Sequence, residues 1–556
     1  MPRIAWVVEL RSALLANEVA ALRRRLSEAG LADIGSPPSV TTMQAADAVV
    51  VWADQPLAPE LAAMLAQPSV IAVLAGPTLT DADPWQILSD AAGLLVRGST
   101  PPHDVRLRAG PDAGDGVGPG AHGHGDSSHR DEHEHLFERV ALIDKATDDV
   151  QVLRTARIGL VDHPVMTWRP VTATAAWSMG TTPEAVSDRS ATRALAQLLR
   201  RVCDVPGPQP IRVGLLGYGA IGHEHSRAAR AVPGLALSAV CDTSEDRRAA
   251  AAAAADGVAV LAAPEDLLAR DDVDLIVVST PPNTHARWAL RAIESGKHVV
   301  VEKPFALHTA DADAVLAAAK ATGRLAVVYQ NRRYDPDYLA LRQLVRAHAL
   351  GEVFHIETFV GGYGHPCNLW HSDEDVSGGA FYDWGSHVLD QVLDLVPSDV
   401  VHVTATNHKL RWFDVTNADH SRVSVRFDNG VEAEFMHSDL AAALKPRWYV
   451  LGSQGAVVGQ WRTERVLSRS DIGTLVEDVL APADSVPVME LHAADGSVTR
   501  IATPDPQSYG FHRELVDRLQ LGLPMTVTGE QSRRVLAVME AARASAADSG
   551  TPKVPR

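Results

Sequence analysis

A chain of 556 residues, 46% hydrophobic and 22% charged, is too long for one ordinary domain and has the balance of a globular protein. Its formal charge of −18 argues against a nucleic-acid footprint, which needs clustered positive charge, and acidity of this kind is expected to keep a cytoplasmic protein soluble. Three cysteines, Cys203, Cys241 and Cys367, lie far apart without CxxC spacing, which argues against a disulfide framework and a cysteine zinc site and for a reducing compartment.

The opening MPRIAWVVELRSALL holds a short apolar run followed at once by charge, so it does not read as a signal peptide. No stretch reaches the ~20 uninterrupted apolar residues of a membrane helix, so no membrane association is expected. RIAWVVEL reads as a strand and LLANEVAALRRRLSEAG as an amphipathic helix ending at Gly30. DAVVVWAD and SVIAVLAG read as further strands, PELAAMLAQ and PWQILSDAAGLL as helices. Buried strands alternating with helices predict a parallel sheet with crossover helices, in a flavodoxin-like or class I amidotransferase-like α/β domain. Residues 108–134 are dominated by Gly, Asp and His and predict an exposed loop. His122, His124, His129, His133 and His135, with Asp131, Glu132 and Glu134, have the composition of a zinc or nickel site. A Gly-rich stretch offers such a site no fixed geometry, and no metal is expected. FERVALI and DVQVLRTARIGLV resume regular patterning, SATRALAQLLRRV closes it as a helix, and CDVPGPQP predicts a linker.

A second strand–helix series begins at Ile211, with strands in IRVGLLGYGAIG, LALSAVCD, VDLIVVST, KHVVVEKP and RLAVVYQ. After Gly351 the pattern alternates, in EVFHIETFV, VVHVTATNH and RVSVRFDNGVEAEFMH, the last broken by an Asp-Asn-Gly turn. That predicts antiparallel sheet. Helices in FHRELVDRLQLG and EQSRRVLAVMEAARASAA finish the chain. The predicted domains are 1–203, a linker at 204–210, a Rossmann dinucleotide-binding domain at 211–335 and an α+β substrate-binding and oligomerisation domain at 336–556.

The most specific motif is Gly217-Tyr218-Gly219-Ala220-Ile221-Gly222, directly after the strand IRVGLL and before a helical segment. Gly217 permits a tight turn, Gly219 lets backbone approach a pyrophosphate, and Gly222 lets helix and strand pack closely. The helix N-terminus, from Ala220 and Ile221 on, offers N–H groups and a positive dipole end. Asp242 ends the next strand, where a carboxylate bonding the ribose 2′-hydroxyl belongs. NAD is therefore expected over NADP, with Arg247 and Arg248 leaving NADP open.

Lys303, in Glu302-Lys303-Pro304, ends the strand KHVVV, and carboxyl ends of strands border the ligand crevice of doubly wound sheets. Asp383 and His387 stand four residues apart in FYDWGSHVLD, so a helix would carry both on one face. From about Ile211 to Val554 the chain resembles the Gfo/Idh/MocA oxidoreductases, on GYGAIG, STPPNTHARWALRAIESGKHVVVEKPFA and GGAFYDWGSHVLD. The resemblance implies catalytic roles for Lys303, Asp383 and His387, with a cis bond often following the lysine. His387 would take a hydroxyl proton, Asp383 would orient the imidazole or grip a neighbouring hydroxyl, and Lys303 would stabilise the oxyanion. Thr280, Pro281, Asn283, His285, Glu302 and Lys303 join the expected cofactor contacts. Gln330, Arg333, Tyr363, Trp370 and His371 are expected to border the substrate, and Asp390 to be structural. The expected function is hydride transfer between NAD(P) and a sugar, inositol or related polyol, in a homodimer or homotetramer. An NAD-dependent glycosidase acting by transient oxidation and elimination is the alternative, and a non-catalytic NAD-binding module a third. Within the first 200 residues, RDEHEHLFERVALI, HPVMTWRP and LAQLLRRV are similar to the trehalose-utilisation (ThuA-like) branch of the amidotransferase-like fold, although cysteine is absent there and so is a GxGxxG.

Overall fold

The computed structural model describes residues 3–9, 13–28, 32–33, 48–53, 72–75, 94–99, 103–109, 135–138, 141–145, 149–158, 161–169, 174–177, 189–204, 206–254, 257–367, 369–460, 463–470, 473–480, 488–504 and 508–556. The chain divides into two compact units, 1–209 with 517–524, and 210–516 with 525–556.

In the first unit, β1 (Arg3–Glu9) leads into α1 (Ala13–Glu28), whose Val19, Leu22 and Leu26 recur at helical spacing and are buried. The strands β2 (Ala32–Asp33), β3 (Ala48–Ala53), β4 (Ala72–Ala75), β5 (Leu94–Ser99), β6 (His103–Ala109), β7 (His135–Glu138), β8 (Ala141–Lys145), β9 (Gln151–Ile158), β10 (Val161–Arg169) and β11 (Thr174–Trp177) follow, then α2 (Arg189–Val202). The main sheet has the order β2-β1-β3-β4-β11-β10-β9-β6-β7. Its half from β2 to β11 is parallel, as the strand–helix alternation predicts. The other half is antiparallel, because β9 and β10 follow one another too closely for a crossover helix. The helices expected at PELAAMLAQ and PWQILSDAAGLL lie outside the described residues, as does the histidine-rich stretch up to Glu134.

The second unit opens with β12 (Ile211–Leu216), α3 (Ala220–Ala231), β13 (Leu235–Cys241), α4 (Glu245–Ala254), β14 (Ala259–Leu261), α5 (Pro264–Leu268), β15 (Leu275–Val278), α6 (His285–Glu294), β16 (His298–Val301), α7 (Thr309–Thr322) and β17 (Ala326–Val328). All six strands are parallel, in the order β14-β13-β12-β15-β16-β17. The chain runs outward from β12 to β14, then returns to β15 on the other side, so a crevice opens at the carboxyl ends of β12 and β15. Strand β14, only three residues long, is an addition to the strands read from sequence.

After α8 (Pro336–Arg346) come β18 (Val353–Gly361), the short α9 (Glu374–Ser377), α10 (Ala380–Leu395), β19 (Val400–His408), β20 (His420–Phe427), β21 (Glu432–Ser438), β22 (Trp448–Gly452), β23 (Gly455–Gln460), the ribbon β24 (Thr463–Ser470) and β25 (Gly473–Leu480), β26 (Val488–Ala493), β27 (Val498–Ile501), α11 (Gly510–Leu521) and α12 (Gly529–Ala547). The larger sheet, β19-β20-β21-β18-β22-β23-β26-β27, is antiparallel except where β18 pairs β21. The β20–β21 hairpin turns at the expected Asp428-Asn429-Gly430, with Gly430 at φ 88°. Helices α10 and α12 cover one face of this sheet, packing Phe381, Val388, Val392 and Leu536 against Val423, Val425 and Phe435. Among the described residues no helix is long and apolar enough to cross a membrane.

Candidate active site

The turn after β12 is built by steric need. Gly217 has φ 101°, and a Cβ there would stand 2.4 Å from the Ser279 carbonyl oxygen. A Cβ on Gly222 would stand 2.5 Å from the Gly217 carbonyl oxygen, so α3 packs this close only on glycine. Gly219 faces open space, its would-be Cβ meeting nothing nearer than the Arg247 guanidinium at 3.9 Å. The first helical hydrogen bond of α3 is His223 N–H to Gly219 O, which leaves the N–H groups of Gly219, Ala220, Ile221 and Gly222 without a partner among the described residues. Unpaired donors at an uncrowded helix N-terminus fit a pyrophosphate. Asp242 is buried beside this turn and accepts from Tyr218 N–H and Ser244 N–H, both at 2.8 Å, with Arg247 3.7 Å away. Its position suits the ribose end of a dinucleotide.

At the end of β15, Thr280 bonds Thr284 through their hydroxyls at 2.7 Å, Pro281 is half-buried and Asn283 is exposed. His285, at the start of α6, is buried, with Nδ1 2.8 Å from the Pro304 carbonyl and Nε2 2.7 Å from the Thr280 carbonyl. Burial holds its pKa below the usual imidazole range. The His285 side chain thus braces two crevice loops. The Glu302 carboxylate takes the His225 ring at 2.9 Å and the Lys303 N–H at 3.1 Å. His225, on α3, meets His512 of α11 at 2.9 Å through its other nitrogen. The expected cis bond is present between Lys303 and Pro304.

Lys303 Nζ pairs with the Asp383 carboxylate and lies 3.3 Å from the Asp383 carbonyl. Gly378 and Gly379, at φ 84° and 98°, turn the chain into α10, so that Asp383 stands in its first turn and His387 one turn later. Burial pushes the Asp383 carboxyl up, but Lys303, helped by His371 and His437, outweighs that and holds it below the usual carboxylate range. His387 is buried, and that burial, with the charges of Lys303, Arg332 and Arg447, drives its pKa well below the usual value. Its Nδ1 has no hydrogen-bond partner. Asp383 therefore serves Lys303 and does not orient the His387 imidazole, against the expectation from helical spacing. The result is a neutral, desolvated base beside a charge-paired ammonium, a set able to take a proton from a hydroxyl and steady the oxygen left behind.

Two family descriptions match consecutive stretches of the chain: the oxidoreductase family with NAD-binding Rossmann fold over residues 211–330, and the GFO/IDH/MocA C-terminal domain over 338–458. The uncharacterized oxidoreductase YdgJ of Escherichia coli (strain K12) is 33% identical over 251 residues, 45% of this chain and 70% of that protein. The chain belongs to the Gfo/Idh/MocA oxidoreductase family. Similar to it also are the scyllo-inositol 2-dehydrogenase (NADP(+)) IolW of Bacillus subtilis (strain 168), 23% identical over 348 residues that span 61% of this chain and 95% of that one, and an NAD-binding protein of known structure from Listeria innocua. The latter is 28% identical with a TM-score of 0.53, over 62% of this chain and 96% of that one. As a Gfo/Idh/MocA member the protein is an NAD(P)-dependent oxidoreductase.

The expected substrate contacts of this Gfo/Idh/MocA protein separate in the structure. Gln330 is buried against α10, its Nε2 donating to Ser386 O at 3.2 Å while Oε1 has no partner. Trp370 stacks on His371 with ring centroids 3.6 Å apart, and burial lowers the His371 pKa against the pull of Asp383. Tyr363 is exposed on a bridge to Leu440, with the Arg411 guanidinium 5.6 Å from its ring. Arg333 is a correction: it is buried, hydrogen-bonded through Nε and Nη2 to Asp390, and its Nη1 forms an ion pair with Asp394 at 2.9 Å. Such a guanidinium holds the turn after β17 to α10 and has no face left for substrate. Asp390 is structural, as expected. Sequence reading passed over Arg332, whose guanidinium lies 4.9 Å from the Trp384 ring, and over His437 on β21. The available signal for His437 was a histidine on the buried alternation of EAEFMHS.

Proposed function

We propose that the protein oxidises a secondary hydroxyl of a sugar, inositol or related polyol, or reduces the corresponding carbonyl. The observation that carries this reading is the Lys303–Asp383 pair set at the carboxyl end of β16 with neutral His387 one helical turn away. Gly217 to Gly222 would hold the cofactor's pyrophosphate and Asp242 its ribose, and the bound nicotinamide supplies the hydride acceptor. His387 takes the hydroxyl proton. Lys303 donates to the same oxygen as the carbinol C–H bond breaks, and Asp383 holds that ammonium in place. The balance is R₂CHOH + NAD(P)⁺ → R₂C=O + NAD(P)H + H⁺. Similar proteins that act on inositols support the choice of substrate class, among them an inositol 2-dehydrogenase of Gluconacetobacter diazotrophicus, 40% identical over 148 residues. The exposed Phe354, Val401, Tyr449 and Val498 on strands of the larger sheet support association into a homodimer or homotetramer.

The test is NAD(P)H formation at 340 nm with inositols, aldoses, alditols and aryl glycosides. Reduced cofactor accumulating with a free polyol is expected, and its loss in both Lys303→Ala and His387→Ala. Glycoside cleavage that requires NAD yet accumulates no NADH would overturn the dehydrogenase reading in favour of oxidation and elimination. Full turnover in both variants would overturn the residue roles.

A further inference from the structure

Strand β21 alternates cleanly. Glu432, Glu434 and Met436 face outward or are half-buried, while Ala433, Phe435 and His437 are buried on the face that α10 covers. Phe435 packs against Phe381, with ring centroids 5.9 Å apart. His437 is two residues beyond Phe435 on the same face of the strand, and its imidazole and the Asp383 carboxylate act on one another electrostatically. A polar ring thus occupies an apolar face where that face meets the reaction site. The ring is 94% buried, yet its Nδ1 has no hydrogen-bond partner and its Nε2 lies 3.8 Å from Asp439, outside hydrogen-bond range. Burial lowers its pKa to about 4 against the pull of Asp383, so at neutral pH it presents one donor and one acceptor.

Among the described residues, three further buried polar atoms of the expected site residues are also without partners: His371 Nδ1, His387 Nδ1 and Gln330 Oε1. The cations around them are paired, Lys303 with Asp383, Arg332 with Asp335, Arg333 with Asp390 and Asp394, and Arg447 with Asp335 and Asp337. Neutral groups that each give and take one hydrogen bond match hydroxyls, which do the same. They do not match a carboxylate or phosphate, which would call for an uncommitted cation.

We propose that His437 is a specificity-determining residue of this site, which with His371 hydrogen-bonds a hydroxyl neighbouring the one oxidised, so that the enzyme takes an uncharged vicinal polyol. The proposal rests on the polyol reading above. It is tested in the full chain with His437→Leu and His437→Asn, using NAD and myo-inositol, D-glucose, 2-deoxy-D-glucose and D-glucuronate. NADH binding, followed by fluorescence, checks that each variant is folded. In His437→Leu, KM for the better of myo-inositol and D-glucose is expected to rise about 10-fold or more, with a smaller change in kcat and none in KM for NAD. His437→Asn should recover part of the loss. Wild type should discriminate against 2-deoxy-D-glucose relative to D-glucose, and His437→Leu should not. An unchanged KM, a fall in kcat alone with a shifted pH profile, or a preference for D-glucuronate over D-glucose would each overturn the proposal while leaving polyol oxidation standing. Wild type that binds NADH but oxidises none of the neutral polyols would overturn both.

Discussion

Replacing Arg333 by Met separates a structural cation from a substrate contact. Arg333 and Asp390 are 2% and 1% exposed, so the pair is shielded from solvent on both sides. Removing one partner of such a pair strands the other, at a cost of about 3–5 kcal/mol. At roughly 2 °C per kcal/mol for a unit of this size, the melting temperature is expected to fall by about 6–10 °C. The pH dependence gives a sharper check. Burial, opposed by Arg333, raises the Asp390 pKa from 3.8 to about 6. Because the folded value exceeds the unfolded one, the native state holds this proton better. That contribution to stability is complete below about pH 4 and is lost as pH rises through about 6, a change of about 3 kcal/mol at 1.36 kcal/mol per unit. Without Arg333 the Asp390 pKa climbs further and the loss continues to higher pH. The wild-type and Arg333→Met melting temperatures, measured by calorimetry, should therefore lie close together at pH 4 and far apart at pH 8. KM for the polyol at 15 °C should change less than about 3-fold. A melting temperature unchanged at pH 8, together with a KM raised 10-fold, would refute the reasoning and return Arg333 to the substrate.

Three further outcomes follow from the site. Gly217→Ala puts a methyl group 2.4 Å from the Ser279 carbonyl at φ 101°, so NADH affinity, read by fluorescence titration, should fall at least about 10-fold. Asp242→Asn removes the charge but keeps an acceptor for only one of the Tyr218 and Ser244 N–H groups, so the ratio of kcat/KM for NADP to that for NAD should rise about 10-fold while affinity for both cofactors falls somewhat. The acid limb of kcat/KM, set by the need for neutral His387, should lie well below pH 6.5, and Lys303→Met, which removes one of the charges depressing that pKa, should move it upward on top of a ~10²–10⁴-fold loss of rate.

What the sequence made legible is what the chain settles within a few residues. Gly222 is dictated by its own turn, since a Cβ there would meet the Gly217 carbonyl, and the G-x-G-x-x-G spacing identifies it together with Gly217 and Gly219. The strand–helix series of the Rossmann domain and the hairpin at Asp428 to Gly430 belong to the same class, being periodicity and turn chemistry read locally. The antiparallel half of the first unit's sheet was missed because strand content does not by itself fix strand direction.

Ionisable side chains are different, because their role depends on a partner from elsewhere in the chain. Arg333 reads as a ligand for substrate until Asp390 and Asp394, more than fifty residues on, are seen to close around it. The Glu302 carboxylate likewise meets His225 of α3, whose other nitrogen meets His512 of α11, a chain of contacts no local motif announces. Helical spacing set Asp383 and His387 one turn apart on α10, yet the carboxylate turns to Lys303, eighty residues earlier, because a half-buried ammonium attracts an anion more than a neutral imidazole does. His437 completes the pattern from the other side. Its ring has no hydrogen-bond partner among the described residues, and in a protein whose other charges near the site are paired, that is the feature to be explained.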